Sequence, residues 1–209
     1  MVYDLPFGQG RRFMAGAGPV MERIVGGWQI GLNTRIQSGQ MDTVEGVRLV
    51  GWTPEEVQKA YELRFDHEAQ AIYMWPEDVI ENTIRAYSFS NTSATGYSGT
   101  PPTGRYFAPA NGPDCIEVAE GLGECPGTVR SLVLTGPLFW ESDLRVSKRT
   151  AIVGRLNVEF AAEALNVFNH RNFAPDGTVE SSTLSDYRVT GLTGTNAGRV
   201  IQIVSRINW

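Results

Sequence analysis

The last residues of the chain, 199–209, alternate between apolar and polar side chains and end on an aromatic residue. The apolar residues of this alternation are Ile201, Ile203, Ile207 and Trp209, and the polar residues are Gln202, Arg206 and Asn208. A period of two places successive side chains on opposite faces of a sheet. A long alternating strand that ends on an exposed aromatic is typical of the final strand of an outer-membrane β-barrel.

Three further segments alternate in the same way: residues 28–38, 138–148 and 155–168. Each segment covers the roughly 9–11 residues that a tilted strand needs to cross a bilayer. The far end of the last segment, residues 165–167, breaks the polarity and is its weakest part. Tyr3, Leu5 and Phe7 resemble the end of one more strand, so the chain is expected to contain five in all.

In a membrane barrel the apolar side chains of such strands face lipid and the polar ones face the lumen. The residues expected to face lipid are Trp28, Ile30, Leu32, Trp140, Leu144, Leu156, Val158, Phe160, Ile203 and Ile207. The polar residues expected to face the lumen are Gln29, Asn33, Arg35, Gln37, Glu141, Asp143, Arg145, Arg155, Asn157 and Glu159. We expect Trp209 to act as a C-terminal assembly signal.

The pattern predicts an all-β fold: a membrane β-barrel segment with about five long, antiparallel, amphipathic strands and a large extracellular insert containing two short helices. A soluble β-sandwich is the structural alternative, because its strands also alternate between apolar and polar residues. Two observations favour the barrel. The polar faces carry charges or amides at nearly every step, and the segments exceed the roughly 5–6 residues of a usual soluble strand.

Composition limits the partners. The chain has 209 residues and a net charge of −5, so it lacks the basic stripe of a nucleic-acid-binding protein. No run approaches the roughly 18 apolar residues of a spanning helix, and a mean hydropathy of −0.19 is compatible with a barrel. The first residues do not resemble a secretory signal. Because bacterial single-chain barrels have an even number of strands, at least about eight, we expect a C-terminal part of a longer protein or one piece of a split barrel.

The lengths of the links divide the chain into three regions. Residues 1–40 hold two barrel strands with a periplasmic turn, 41–137 form a long extracellular insert, and 138–209 hold three C-terminal strands with an extracellular loop at 171–198. The link 149–154 is short. If Trp209 lies at the periplasmic rim, strand parity places both long loops outside, where outer-membrane barrels carry their long loops.

Two helix starts occur in the insert. In the first, Thr53 is followed by Pro54 and, at the third position, by Glu56, which predicts a capping box and a helix near 54–63. In the second, Pro76 precedes two acidic residues, which predicts a helix near 76–86.

The only two cysteines, Cys115 and Cys125, lie in the insert. In a surface loop of an exported protein they favour a disulfide that closes a small hairpin. Two free thiols, or half of a metal site, are the alternatives.

Two other functional interpretations exist. An enzyme would need a site, yet the candidates are few: the cluster Asp66, His67 and Glu68, and the strand carboxylates, for which a solvated loop and lumen charges are the simpler readings. We therefore expect no catalytic residue, metal or cofactor. A soluble, secreted β-rich binding module is the second interpretation, in which the insert recognises a glycan or protein through its aromatics Trp52, Tyr61, Phe65, Tyr73, Trp75, Tyr87 and Tyr97.

Several stretches resemble the C-terminal end of TonB-dependent outer-membrane receptors of the Oar-like group, which carries a carboxypeptidase-regulatory-like domain. They are residues 2–8 (VYDLPFG), 26–39 (from GGWQ to QSG), 104–109 (GRYFAP) and 163–173 (EALNVFNHRNF), together with the terminal strand. The resemblance implies a large plugged barrel in the outer membrane that takes up a substrate. Nothing in the chain corresponds to that family's plug or TonB box.

The resemblance also implies partners. They are outer-membrane lipid, the remaining strands and plug of the barrel, and the outer-membrane insertion machinery. An inner-membrane energy-coupling protein would act only through the N-terminal part of such a receptor.

Overall fold

A computed structural model describes residues 1–115, 125, 127–194 and 198–209. The chain divides into two compact units. Unit 1 comprises Met1–Gln37, Phe139–Asn172 and Gly194–Trp209, and unit 2 comprises Ser38–Leu138 and Phe173–Thr193.

Unit 1 contains one antiparallel sheet of long strands. Its strands are β1 (Val2–Asp4), β2 (Trp28–Gln37), β8 (Phe139–Val153), β9 (Leu156–Leu165) and β10 (Val200–Asn208), in the spatial order β1-β2-β8-β9-β10. A short helix, α1 (Pro19–Val25), lies in the link from β1 to β2. The register pairs Trp28 with Lys148, Arg145 with Glu163, and Gln202 with Glu163.

The two ends of this sheet differ in their connections. At one end, here called the turn end, β8 and β9 are joined by the two residues Gly154 and Arg155. At the other, the loop end, Gln37 pairs with Phe139 and Leu165 pairs with Val200, so the chain leaves and returns there on both excursions into unit 2. The link 5–27 from β1 to β2 also lies at the turn end, so both links at the turn end are shorter than the two at the loop end.

Unit 2 contains two smaller sheets and two helices. Its strands are β3 (Met41–Val50), β4 (Arg64–Asp66), β5 (Ala71–Tyr73), β6 (Tyr106–Pro109) and β7 (Thr128–Thr135), which form sheets β6-β3-β7 and β4-β5. The helices are α2 (Pro54–Ala60) and α3 (Glu77–Tyr87), and a 3-10 turn spans Leu184–Tyr187.

The start of α2 has the predicted cap. The Thr53 hydroxyl accepts a hydrogen bond from the Glu56 N–H at 3.3 Å, and the Thr53 N–H donates to the Glu56 carboxylate at 2.8 Å. These two bonds satisfy backbone groups that would otherwise lack a partner at the first turn.

Both clusters of buried apolar side chains in the described residues lie in unit 2. The larger one is built around Trp75, Phe107 and Trp52, whose rings meet edge to face with centroids 4.8 to 6.2 Å apart. Apart from Phe139, the side chains that unit 1 buries are small or polar, such as Ser142, Ser147 and Ala161.

The predicted all-β class, mostly antiparallel with few helices, is confirmed, and the sheets that the structure describes are not closed. Two details of the prediction were wrong. The segment 149–154 is not a link, because β8 continues to Val153 and Gly154, with a φ of +56°, makes the turn with Arg155. The strand predicted over 155–168 ends at Leu165, since Asn166 has a positive φ of 50°.

Candidate functional site

The register of unit 1 groups its side chains into two faces that run across all five strands. Partners in an antiparallel ladder lie on the same face, and alternate residues along each strand return to it. The apolar face contains Tyr3, Trp28, Ile30, Leu32, Thr34, Ile36, Trp140, Ser142, Leu144, Val146, Lys148, Thr150, Leu156, Val158, Phe160, Ala162, Ala164, Ile201, Ile203, Ser205 and Ile207. The polar face contains Asp4, Gln29, Asn33, Arg35, Gln37, Glu141, Asp143, Arg145, Ser147, Arg149, Asn157, Glu159, Glu163, Gln202, Arg206 and Asn208, with a few small or apolar residues among them.

Large side chains of the apolar face are exposed. Ile203 is 82% exposed, Ile36 67% and Phe160 58%. Single exposed apolar residues are ordinary on a protein surface, but a continuous patch marks a surface that meets something apolar.

Lys148 is the one charged residue among the described strand positions of the apolar face. It lies near the turn end, where its ammonium group donates a hydrogen bond to the Gly26 carbonyl and lies 5.2 Å from the centre of the Trp28 ring. A lysine beside a tryptophan at the end of an apolar strip is typical of a membrane–water boundary, because the ammonium group reaches water while the stem stays in apolar surroundings.

The loop end of the apolar face carries a second aromatic group. The Trp140 ring lies 4.5 Å from the His170 ring and 5.6 Å from the Phe168 ring, measured between centroids. Asn172 holds this strand end by accepting from the Trp140 N–H at 3.1 Å and donating to the Trp140 carbonyl at 3.0 Å.

Ion pairs and amide bonds connect the strands on the polar face. Arg145 donates to Glu163 and, at 2.7 Å, to Glu159, which also accepts from Arg149 at 3.1 Å. Glu163 accepts a further bond from Gln202, so this cluster ties β8, β9 and β10 together. Near the turn end the Asn208 amide donates to Asn157 at 3.0 Å.

The sequence prediction can be compared with these faces. All ten residues expected to face lipid lie on the apolar face. Nine of the ten expected to face the lumen lie on the polar face; Arg155 does not, because it belongs to the Gly154–Arg155 turn. Sequence reasoning missed Lys148 as a member of the apolar face, although its spacing of two from Val146 signals that position.

The proposed disulfide is present: Cys115 and Cys125 are bonded, with their Cα atoms 5.0 Å apart. Beside it, Asp114 accepts a hydrogen bond at 2.8 Å from the guanidinium of Arg48, which is fully buried. A buried guanidinium needs such a partner, since an unpaired charge in the interior is costly.

The residues considered for catalysis or glycan stacking have structural positions. His67 is exposed in the turn between β4 and β5, where the Asp66 carboxylate accepts the N–H groups of Glu68 and Ala69. Of the seven aromatics considered for glycan stacking, five are buried and so cannot stack on a sugar: Trp52, Tyr61, Tyr73, Trp75 and Tyr97. Tyr87 is half-buried and Phe65 is exposed. Nothing in the described ranges brings together three or more His, Cys, Asp or Glu side chains as a metal would need.

An acidic cleft of about 590 Å³ lies within unit 2. Its lining includes four acidic residues, Asp42, Glu45, Asp176 and Glu180, together with Gly177. The Asp42 carboxylate accepts a 2.8 Å hydrogen bond from the Tyr61 hydroxyl. Burial, reinforced by this bond, raises the pKa of Tyr61 far above its ordinary value.

An antiparallel sheet of long strands with one exposed, continuous apolar face and one polar face is typical of the wall of a membrane β-barrel. The family model for an outer membrane beta barrel domain matches residues 1–202, and the chain belongs to that family. Members of this family are outer-membrane proteins. Among the described residues, no helix is both long and apolar enough to cross a membrane. No match was found among curated proteins or solved structures.

Proposed function

We propose that this protein forms part of the wall of an outer-membrane receptor that takes up a substrate, as the resemblance to TonB-dependent receptors implies. The observation that carries the proposal is the continuity of the two faces over five strands, with a single charge, Lys148, on the apolar one. In this arrangement the apolar face meets lipid and the polar face lines the lumen.

The spacing of the aromatic groups supports a membrane setting. Trp28 pairs with Lys148, and Ile36 pairs with Trp140, so the two aromatic groups are separated by the run from Trp140 to Lys148 along β8. At ~3.4 Å per residue this run measures roughly 27 Å. A strand tilt of ~35–45° reduces it to about 20 Å of height, close to the ~25 Å apolar band that aromatic girdles enclose in such barrels.

The loops support an orientation. Both excursions into unit 2 leave from the loop end, and outer-membrane barrels place their long loops outside the cell. Unit 2 is then extracellular and contributes to ligand recognition. Its disulfide fits that location, because structural disulfides persist in oxidising compartments.

The partners follow from this role. Strands beyond these five complete the wall, because an open sheet edge is not stable in lipid. An energy-coupling protein of the inner membrane would act through a plug, to which none of residues 1–209 corresponds. The protein is non-enzymatic in this proposal and needs no cofactor or nucleic acid.

Fractionation of the native protein from its source cells tests the location. The proposal predicts an outer-membrane species whose electrophoretic mobility changes on heating, as for a closed barrel. A water-soluble species near 23.0 kDa would instead support the alternative of a secreted binding module.

Uptake is tested separately with a deletion strain. Compared with the parent strain, the deletion strain should grow less well on at least one of three limiting nutrients: ferric siderophores, oligosaccharides or peptides. In the parent strain, uptake of that nutrient should require an energised inner membrane. A strain that uses every such nutrient normally would contradict the receptor role and leave the wall assignment intact.

Trp209 is proposed to form the recognition signal for the outer-membrane insertion machinery, together with the alternating residues before it. It is 92% exposed, so removing it deletes almost no contact within the described part of the chain. Deletion of Trp209 should reduce the amount of assembled protein strongly, whereas Trp209→Phe should preserve it. Normal assembly after the deletion would refute the signal.

A further inference from the structure

The link between β1 and β2, residues 5–27, exposes an unusual amount of apolar surface. Its large exposed apolar side chains are Phe7 (40%), Phe13 (47%), Met14 (47%), Val20 (74%), Met21 (45%) and Ile24 (59%). Three of them lie on α1, a helix that buries none of its residues. A surface helix in a water-soluble protein normally turns its apolar residues inward.

The single acidic residue of α1 has the opposite orientation. The Glu22 carboxylate accepts the Gln9 N–H at 2.5 Å and lies against Gly8 and Gly26. A Cβ at Gly26 would meet a carboxylate oxygen of Glu22, so a larger residue at this position would displace the carboxylate. The helix therefore turns its negative charge into the link and leaves its apolar residues and Arg23 outside.

Two arginines of the link, Arg12 and Arg23, have no acidic partner in the described structure. Arg11 pairs with Asp4 at 3.5 Å, but the Arg12 guanidinium instead lies 5.5 Å from the centre of the Phe13 ring. Arg12 and Arg23 are both exposed. The outward surface of the link is thus apolar and positively charged.

The link is continuous with the apolar face of the sheet. The Trp28 indole N–H donates to the Ile24 carbonyl at 3.0 Å, and the Lys148 ammonium donates to the Gly26 carbonyl. Trp28 and Lys148 both belong to the apolar face near its turn end. The apolar surface of α1 therefore begins where the apolar face ends.

We propose that residues 5–27 form an interfacial anchor that binds anionic phospholipid headgroups, with Arg12 and Arg23 contacting the phosphates and Val20, Met21 and Ile24 entering the acyl boundary. The proposal rests on the proposed function, in which the apolar face meets lipid. An exposed apolar surface with basic residues is what interfacial segments use, since apolar burial and attraction to anionic lipid add together.

The test uses the protein as it exists, solubilised from the outer membrane of its source cells and reconstituted into lipid nanodiscs with two photoreactive phospholipids. One carries a diazirine on a phosphatidylglycerol or phosphatidylcholine headgroup, and the other carries it at the end of an acyl chain. After irradiation, the labelled peptides are identified by mass spectrometry. The acyl probe reports on the strands, and the headgroup probe reports on the link, so the two claims are read separately.

The headgroup probe should label residues 12–24, and the phosphatidylglycerol form should label them about threefold to fivefold more than the phosphatidylcholine form. The double variant Arg12→Gln, Arg23→Gln should lose this preference. The matched control Arg130→Gln, Arg188→Gln, which removes two exposed arginines of unit 2, should retain it.

If the acyl probe labels β9 and β10 but the headgroup probe leaves residues 12–24 unlabelled, the anchor is refuted and the wall assignment stands. Equal labelling by both headgroups refutes the anionic preference. If the acyl probe labels none of the strands, the proposed function itself fails.

Discussion

Three asparagines fix the loop that follows β9. The amide of Asn166, which is 1% exposed, donates to the His170 carbonyl at 2.7 Å and accepts the His170 N–H at 2.9 Å. The Asn169 side chain accepts the Arg199 N–H at 3.0 Å just before β10, and Asn172 binds the backbone of Trp140. The motif that resembles receptors therefore has a structural role here, since it fastens the loop ends of β8 and β10.

Replacing Asn166 should destabilise unit 1. Asn166→Ala loses two side-chain hydrogen bonds in a buried site and places a Cβ residue without a local hydrogen bond at a φ of 50°, so we expect a loss of about 2–4 kcal/mol. Asn166→Gly loses the same hydrogen bonds but tolerates the positive φ. Its loss of stability should therefore be about 1 kcal/mol smaller than that of Asn166→Ala. The exposed Asn33→Ala is the control, and a thermal unfolding series in which all three variants match the native protein would contradict this role.

Buried tyrosines make unit 2 sensitive to alkali. Burial raises the pKa of Tyr61, Tyr97 and Tyr187, and hydrogen bonds to Asp42 and Asp114 add to the effect for the first two. Because the folded state holds these protons more tightly than the unfolded state, their contribution is complete below the unfolded pKa of about 10 and is lost as pH rises above it.

The midpoint temperature of thermal unfolding of unit 2 should therefore be constant from about pH 8 to 9.5 and fall steeply above about pH 10. Tyr61→Phe should show a shallower fall, since one ionising group is removed, although it loses its bond to Asp42 at neutral pH. Equal slopes for the variant and the native protein would show that Tyr61 does not contribute.

At the scale of elements, the sequence predicted the long strands and the two helices of the insert, but it missed the strands of the insert. An alternating strand has a period that can be read directly, so four long segments were located to within a few residues at most ends. Strands such as β3 and β6 run through buried stretches without clean alternation, and they were missed. Buried strands cannot be distinguished from other apolar segments by period alone.

The site shows the same division. Membership of a face follows from spacing, whereas Arg155 was misassigned because turn position depends on one glycine, Gly154. Trp52 and Trp75 were interpreted as a surface, since an aromatic in a polar loop gives no sign of a local core. Cross-strand bonds such as Arg145 to Glu163 required the register.

A positive charge introduced on the apolar face of β10 should affect stability differently from one introduced on its polar face. Ile203 is 82% exposed, so in a water-soluble sheet Ile203→Arg should change stability by less than about 0.5 kcal/mol. In a bilayer the same change should cost about 2–4 kcal/mol near the midplane. Gln202→Arg on the polar face is the matched control, and unfolding from lipid by denaturant is the measurement; equal, small effects would contradict lipid contact at Ile203.

At the scale of the whole molecule, the two units satisfy different physical requirements. Unit 2 buries a core of its own, centred on Trp75 and Phe107. Unit 1 leaves most of its large apolar side chains exposed or half-buried and orders its polar face by hydrogen bonds. Burial of apolar area contributes roughly 25 cal/mol per Å², so unit 1 gains this stabilisation only from apolar surroundings or from further strands.

The edges lead to the same conclusion. In the described residues β1 and β10 each have one neighbour in the sheet, and β1 covers only the part of β2 from Gln29 to Gly31. Unpaired strand edges invite pairing with other strands. A barrel wall supplies both the missing neighbours and the apolar surroundings.

Fluorescence quenching by brominated lipid tests the central claim most directly, because the five tryptophans divide between the two settings. Trp28 and Trp140 lie on the apolar face and Trp209 follows its last strand, whereas Trp52 and Trp75 are buried in unit 2. The variant Trp52→Phe, Trp75→Phe reports only the first group, and Trp28→Phe, Trp140→Phe, Trp209→Phe reports only the second. In bilayers brominated along the acyl chains, strong quenching of the first variant and none of the second is predicted, whereas a first variant that stays unquenched would contradict a membrane-embedded apolar face.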